Sequence, residues 1–175
     1  MQKHKIHKIS LAAIFTALIF TATYFIAIPM PAGIGFVNLG DAFVLLGAWI
    51  LGPLGCICAG VGSALADLLL GYAVYAPATL VIKALMAFVG YYSFKVISSL
   101  LKTPVGFIIS SVLAELLMVI GYFVFEWILY GFALAIANIA FNLIQGLCAI
   151  VASNVIINIL FANKAIARYI NDLKQ

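Results

Sequence analysis

Charged side chains are scarce in this chain. Asp, Glu, Lys and Arg make up only 8% of its 175 residues, whereas 67% are hydrophobic. A water-soluble fold of this composition would expose far more apolar surface than such folds tolerate. The composition therefore excludes a soluble catalytic or regulatory module and predicts a single integral membrane domain over residues 1–175.

The residue types that many enzyme sites require are also few. The two histidines, His4 and His7, lie in the basic N-terminal segment, so Ser63 in the sequence Gly-Val-Gly-Ser has no histidine base within the membrane. A glycine-rich phosphate-binding loop with its lysine and serine is missing from the sequence, and the three cysteines lie in apolar stretches without metal-type partners. We therefore expect that the chain is not an enzyme and that it binds neither a metal ion nor a cofactor. If transport is driven by ATP, partner subunits have to hydrolyse it.

The basic residues follow a pattern that is typical of membrane proteins. The net charge of +4 is compatible with a nucleic-acid surface, but eight of the nine Lys and Arg residues fall at predicted helix ends or tails on one side of a six-span path. They are Lys3, Lys5, Lys8, Lys95, Lys102, Lys164, Arg168 and Lys174. This distribution predicts cytoplasmic termini in a multi-pass protein of the bacterial plasma membrane, which contacts lipid and not nucleic acid.

The apolar stretches and the breaks between them predict an all-α bundle of six transmembrane helices. The predicted helices cover about 8–28, 38–51, 54–72, 77–100, 105–130 and 132–162. Pro29 and Pro31 end the first helix and open an outer loop, Gly52 and Pro53 form an inner turn, and Pro77 suits the first turn of the fourth helix. The chain after Lys164 is expected to form a cytoplasmic tail.

Charged residues lie inside predicted spans at Asp67, Lys83, Glu115 and Glu126, where each charge costs roughly 2.5 to 3.5 kcal/mol on insertion scales. Asp67 precedes the outer loop near Tyr75 by about as many residues as Lys83 follows it, which predicts similar depths on adjacent antiparallel helices. Two interpretations follow from this arrangement. Asp67 and Lys83 form an ion pair that joins the third and fourth helices, or Lys83 contacts a ligand.

Two polar stripes occupy the fifth and sixth helices. They consist of Glu115, Tyr122 and Glu126, and of Asn138, Asn142 and Gln145. At 100° per residue the members of the first stripe lie within about 40° of one another on one face. Hydrogen bonds between helices would explain such stripes without a ligand.

We expect these polar groups to converge on one pocket in the outer half of the bundle. The predicted substrate-binding residues are Asn38, Asp41, Tyr75, Lys83, Glu115, Tyr122, Glu126, Asn138, Asn142 and Gln145. Carboxylates, amides, a lysine and aromatic rings together suit a small ring compound with hydroxyl or heterocyclic groups.

Two sets of local sequences resemble a family of membrane transport proteins. The first is Ala13-Ile-Phe-Thr-Ala17 on the first helix, and the second runs from Asn38-Leu-Gly-Asp-Ala42 through Gly62-Ser-Ala-Leu-Ala-Asp67 to Tyr75-Ala-Pro-Ala-Thr79 with Lys83. With the chain length and the six predicted spans, this layout resembles the substrate-binding S components of energy-coupling factor (ECF) transporters, the bacterial vitamin importers.

The resemblance implies a function and a set of partners. Ala13 and Ala17 would dock on a transmembrane coupling subunit, which works with two ATP-binding subunits, and the outer loop after the first helix would gate the pocket. The loaded protein would topple within the membrane to release its vitamin inside. The chain looks closest to members assigned to pyridoxine or hydroxymethylpyrimidine, with riboflavin as a further candidate.

A self-sufficient carrier is the main alternative. Asp67, Glu115 and Lys83 would then form an ion or proton path. The sequence shows no inverted repeat and no strong interruption at the midpoint of a span, which argues against common secondary carriers. Ligand binding by the protein alone, with uptake only in the presence of an ATPase module, would separate the two functions.

Overall fold

The computed structural model describes residues 2–30 and 35–173, and the side chains of 6–30 and 35–170. Its elements are α1 (Gln2–Phe25), β1 (Ile28–Pro29), β2 (Phe36–Val37), α2 (Gly40–Leu51), α3 (Pro53–Leu69), α4 (Ala76–Leu100), α5 (Thr103–Tyr130), α6 (Phe132–Ala162) and α7 (Lys164–Leu173). The predicted all-α class is confirmed.

Four helices of the described chain are long and apolar enough to cross a membrane, namely α1, α4, α5 and α6. The other two predicted spans correspond to α2 and α3, which have 12 and 17 residues. At 1.5 Å per residue α2 is about 18 Å long, whereas the hydrocarbon core of a bilayer is about 30 Å thick. The six predicted helices are therefore present in order, but two of them are shorter than a full crossing.

Glycine and proline set the boundaries of the helices in the middle of the chain. Gly52 has a φ of 63° and separates α2 from α3, whose first turn contains Pro53. This conformation is open to glycine at little cost, and proline suits a first turn because its missing N–H has no helical partner there. Pro77 lies in the first turn of α4, as predicted.

A short antiparallel hairpin follows α1. Ile28 pairs with Val37 and Pro29 with Phe36, so β1 and β2 bring the chain back to the start of α2. The first helix ends at Phe25, three residues earlier than predicted, because the chain then extends into β1. Residues 31–34, which belong to the predicted outer loop, lie outside the described residues.

Small residues on α3 let it approach its neighbours closely. A Cβ atom added to Gly60 would lie 2.6 Å from the backbone oxygen of Leu80 on α4, and one added to Gly62 would lie 2.8 Å from the backbone oxygen of Thr16 on α1. In lipid, such close backbone contact is a main source of attraction between helices. The small-residue face of α3 is therefore buried against α1 and α4, while Leu65, Leu68 and Leu69 are exposed.

The short helix α2 lies at the centre of the bundle. Ten of its twelve residues are buried, and it contacts α1, α3, α4 and α6. Its Trp49 is 1% exposed, and the indole N–H donates to Oγ of Ser110 on α5 over 3.1 Å. Because α2 is surrounded by longer helices, its first turn places a polar residue, Asp41, deep among their side chains.

A further helix, α7, occupies the segment predicted as a tail. Oδ1 of Asn163 accepts a hydrogen bond of 3.0 Å from the N–H of Ala165 and so caps the helix start. Ile170 is buried and belongs to the main core cluster. The tail is thus anchored on the bundle by one apolar contact face.

Candidate functional site

A cavity lies at the end of the bundle that carries β1 and β2, which we call the hairpin end. Its walls are formed by Thr23, Met30, Gly35, Phe36, Asn38, Ser63, Asp67, Tyr75, Thr79, Lys83, Tyr122, Glu126, Asn142 and Gln145. The cavity volume is about 30 Å³. This narrow space collects polar residues from α1, α3, α4, α5 and α6 around one point.

A buried ion pair underlies the cavity. Nζ of Lys83 on α4 contacts Oδ1 of Asp41, and the two side chains are 3% and 1% exposed. The predicted ion pair between Asp67 and Lys83 is therefore wrong. Counting residues from the outer loop placed Lys83 and Asp67 at similar depths. However, α2 places the carboxylate of Asp41 in direct contact with the ammonium group of Lys83. The start of α2 also favours an acidic residue, because the helix dipole is positive there.

Gln145 on α6 connects this ion pair to the segment before α2. Its Nε2 donates to Oδ2 of Asp41 over 2.6 Å, and its Oε1 accepts from the backbone N–H of Asn38 over 2.8 Å. Oδ1 of Asn38 in turn accepts from the N–H of Gly40 over 2.8 Å, so the Asn38 side chain binds the backbone where α2 begins. Three helices thus share one hydrogen-bonded network.

A second network joins α3, α4 and α5. The hydroxyl group of Thr79 lies beside the carboxyl group of Asp67 and interacts with it, and its Oγ1 lies 3.0 Å from the hydroxyl oxygen of Tyr122. Nζ of Lys83 lies 5.2 Å from the ring centroid of Tyr122, within cation–π range. Tyr122 therefore contacts both networks.

Glu126 is held at the hairpin end by two neutral donors. The hydroxyl group of Tyr75 donates to Oε1 of Glu126 over 3.3 Å, and the amide of Asn138 forms another hydrogen bond with this carboxyl group. The rings of Tyr75 and Tyr122 lie 6.5 Å apart, centroid to centroid. These two rings and the carboxyl groups of Asp67 and Glu126 all line the cavity.

Four buried polar atoms of the lining residues have no hydrogen-bond partner among the residues that the structure describes. They are Oγ1 of Thr23, Oδ2 of Asp67, Oε2 of Glu126 and Nδ2 of Asn142. Buried polar atoms in proteins are nearly always paired, and an unpaired one costs about 1–3 kcal/mol. Four such atoms around one cavity indicate a site that completes its hydrogen bonds with a bound molecule.

Seven of the ten predicted substrate-binding residues line this cavity. They are Asn38, Tyr75, Lys83, Tyr122, Glu126, Asn142 and Gln145. Asp41 and Asn138 lie behind them, where Asp41 binds Lys83 and Gln145 and where Asn138 binds Glu126.

Glu115 does not line the cavity at the hairpin end. Glu115 lies at a separate apolar crevice between α5 and α6. A Cβ atom added to Gly146 on α6 would be 3.3 Å from the Cβ atom of Glu115. Helical periodicity placed Glu115 on the same face as Glu126, but the eleven intervening steps separate them by about 16 Å along the helix. Glu115 is therefore not among the lining residues, although its carboxyl group interacts electrostatically with Asp41 and Lys83, and its contact with a ligand stays a prediction.

Several lining residues were not predicted from the sequence: Thr23, Met30, Gly35, Phe36, Ser63 and Thr79. Helical spacing gives a signal for two of them, since Ser63 precedes Asp67 and Thr79 precedes Lys83 by four residues on the same helix. Thr23 gives no such signal, because a threonine in a membrane helix often bonds to its own backbone, as Thr16 does to the oxygen of Ala12 over 2.8 Å.

The predicted docking residues lie on the outside of the bundle. Ala13 and Ala17 are exposed on α1, whereas Phe15 and Ile19 of the same helix are buried. On the exposed side of α1 the two alanines lie beside larger apolar residues, Ile14 and Leu18.

Comparison with known proteins identifies the family. Residues 3–162 match the family model described as the S component of the ECF-type riboflavin transporter. The chain belongs to this family of ECF transporter S components. The resemblance predicted from the sequence is confirmed, and the chain is a membrane protein of vitamin uptake, a class distinct from enzymes.

A solved structure and a curated relative extend this result. The S component of a bacterial ECF transporter has the same fold, with a TM-score of 0.72 at 21% identity over 98% of this chain and 99% of that one. An uncharacterized protein of Pyrococcus woesei is 50% identical over 62 residues, which are 35% of this S component. The match covers 41% of the length of that relative.

Proposed function

We propose that this S component captures a small vitamin or vitamin precursor in the cavity at the hairpin end, on the outer side of the cell membrane. The best candidates are a pyridoxine-type compound and hydroxymethylpyrimidine, and riboflavin is a further candidate. The observation that carries the proposal is the group of four unpaired polar atoms in a cavity walled by Tyr75 and Tyr122. Convergent polar groups among aromatic rings are typical of sites for small heterocyclic ligands.

The size of the cavity requires its wall to move when a vitamin enters. Its volume of about 30 Å³ is room for one or two water molecules, and typical ligand pockets have roughly 300 Å³ or more. Met30 and Phe36 of the hairpin region and Tyr75 before α4 form part of the wall at the hairpin end. Displacement of these side chains would open the cavity without breaking the buried pair of Asp41 and Lys83.

Import requires partners that supply energy. We propose that the loaded S component works with a transmembrane coupling subunit and two ATP-binding subunits of an ECF module. The exposed small residues Ala13 and Ala17 support α1 as the docking helix, because side chains of this size let another helix approach closely in lipid. Both termini would then lie in the cytoplasm.

Transport by purified components tests this proposal. The S component is reconstituted into vesicles with or without an ECF module, and uptake of labelled candidate vitamins is measured with and without ATP. We expect binding by the S component alone and uptake only with the module and ATP. Uptake by the S component alone would instead support the self-sufficient carrier.

A further inference from the structure

The unpaired atoms of the cavity are mainly acceptors. Oδ2 of Asp67 and Oε2 of Glu126 belong to carboxyl groups on two different helices, α3 and α5, whereas Nδ2 of Asn142 is a donor. The hydroxyl group of Thr23 can act in either role. With both carboxyl groups ionised, a molecule that satisfies this set donates at least two hydrogen bonds, to two separate carboxyl groups, and accepts one.

Among the described residues no cationic side chain is in ionic contact with either carboxyl group, although the charge of Lys83 acts on Asp67 from farther away. Lys83 is the only cationic side chain among the described lining residues, and its direct ionic contact is with Asp41. Neutral groups interact with both carboxyl groups, namely Thr79 with Asp67, and Tyr75 and Asn138 with Glu126. A buried carboxylate is costly unless it is paired with an opposite charge, and a ligand with positive charge supplies that pairing.

The aromatic walls suit the same kind of ligand. Tyr75 binds Glu126, and Tyr122 is connected through Thr79 to Asp67, so each ring stands beside one of the two carboxyl groups. The faces of tyrosine rings attract cations and stack on flat rings. A heteroaromatic ring between the tyrosines would direct groups at its edges toward Asp67 and Glu126.

We infer that the ligand is an amine-bearing, protonatable heteroaromatic compound that donates hydrogen bonds to Asp67 and Glu126. The inference rests on the proposed function and specifies the class of vitamin. An amine at the edge of such a ring donates to a carboxylate, whereas a ring carbonyl in the same place would set its lone pairs against the carboxylate. A site built around unpaired acceptors rejects a ligand that leaves them unpaired.

Matched ligands test this inference on the full-length protein. Binding to the purified S component is measured by titration calorimetry for the aminopyrimidine form of hydroxymethylpyrimidine and its oxo analogue, for pyridoxamine and pyridoxine, and for riboflavin. We expect an amine-bearing compound to bind about 10- to 100-fold more tightly than its partner that lacks the amine. Asp67→Asn and Glu126→Gln should each weaken the amine-bearing compound by at least about tenfold and reduce this preference.

A third variant controls for loss of a carboxylate as such. Asp172→Asn removes the same group from α7, and none of the described residues of α7 lines the cavity, so affinity should not change. Unchanged thermal unfolding of the Asn and Gln variants, which preserve side-chain shape, shows that they fold.

The results that overturn the amine-bearing ligand differ from those that overturn vitamin capture. Equal or tighter binding of an oxo analogue, pyridoxine or riboflavin overturns the inference and leaves vitamin capture in place. If none of the five compounds binds, the inference is also overturned, and the small molecule that copurifies with the protein then decides separately whether a vitamin is captured at all.

Discussion

Lys83 on α4 and Asp41 in the first turn of α2 form an ion pair in which both side chains are almost completely buried. Oδ2 of the same aspartate accepts a hydrogen bond from Gln145 on α6. The pair thus connects three helices directly beneath the candidate vitamin site, and it sets the position of the lysine that lines the cavity.

Removing one member of this pair should destabilise the protein strongly. Asp41→Ala leaves the ammonium group of Lys83 buried without a partner, which costs about 3–5 kcal/mol. Replacing both members, with Asp41→Leu and Lys83→Met, should cost less than the single change, since no charge remains buried alone. Thermal unfolding in detergent, followed by circular dichroism, gives the unfolding midpoints of the wild type, the single variant and the double variant. Equal midpoints for wild type and Asp41→Ala would show that the pair is not formed.

Gln145→Leu should lower stability through unpaired groups. The substitution leaves Oδ2 of Asp41 and the N–H of Asn38 without the partners that they have in the structure, at about 1–3 kcal/mol for each group. Asn158→Leu on the same helix is the control, because Asn158 is exposed and its amide bonds only within α6, to the oxygen of Asn154. If Asn158→Leu lowers stability as much as Gln145→Leu does, the hydrogen bonds of Gln145 to Asp41 and Asn38 do not stabilise the fold.

Gly60→Ala should separate α3 from α4. The added methyl group would lie 2.6 Å from the backbone oxygen of Leu80. The helices have to shift to make room for it, which lowers the free energy of unfolding by about 1–3 kcal/mol. Gly90→Ala is the matched control on α4, since its methyl group would meet only side chains, the nearest at 3.5 Å. There the higher helix propensity of alanine should make the change neutral or slightly stabilising. The same unfolding midpoint in both variants would contradict the close contact.

Large side chains on the outer face of α1 should block transport without affecting capture. We expect the double variant Ala13→Trp and Ala17→Trp to bind the vitamin normally and to lose ATP-driven uptake in vesicles with the ECF module, because the rings keep the coupling subunit away. Ala133→Trp with Ala137→Trp provides the control, since these alanines are also exposed and have the same spacing on α6. Normal uptake by the α1 variant would remove Ala13 and Ala17 from the docking surface.

The sequence predicted the order of the helices well because helix ends depend on local chemistry. Pro53 and Pro77 lie in first helical turns, as proline favours, and Gly52 takes a positive φ between α2 and α3. The hairpin of two-residue strands escaped prediction, since strands of this length leave no periodic pattern. Helix α7 was also missed, although Ile166, Ile170 and Leu173 recur in its sequence at the spacing of one helix face.

The site was predicted less completely because periodicity and residue counting give only part of a position. The spacing on α5 correctly placed Glu115 on the same helix face as Glu126. The prediction did not take into account the distance between the two residues along the helix axis. Counting from the outer loop gave the depth of Lys83 but not its neighbour, so Asp67 was preferred to Asp41. Choosing between these carboxylates requires knowledge of how α2 lies among the longer helices, which is a property of tertiary packing.

We propose that the cavity at the hairpin end holds a vitamin. The most direct test is mass spectrometry of small molecules extracted from the purified full-length protein, beside Asn142→Ala and the surface control Asn158→Ala. We predict a heterocyclic vitamin in nearly equimolar amount with the wild type and the control, and its loss from Asn142→Ala, whose amide is unpaired at the cavity. A heterocyclic compound retained equally by all three proteins, or found in none of them, would contradict the account.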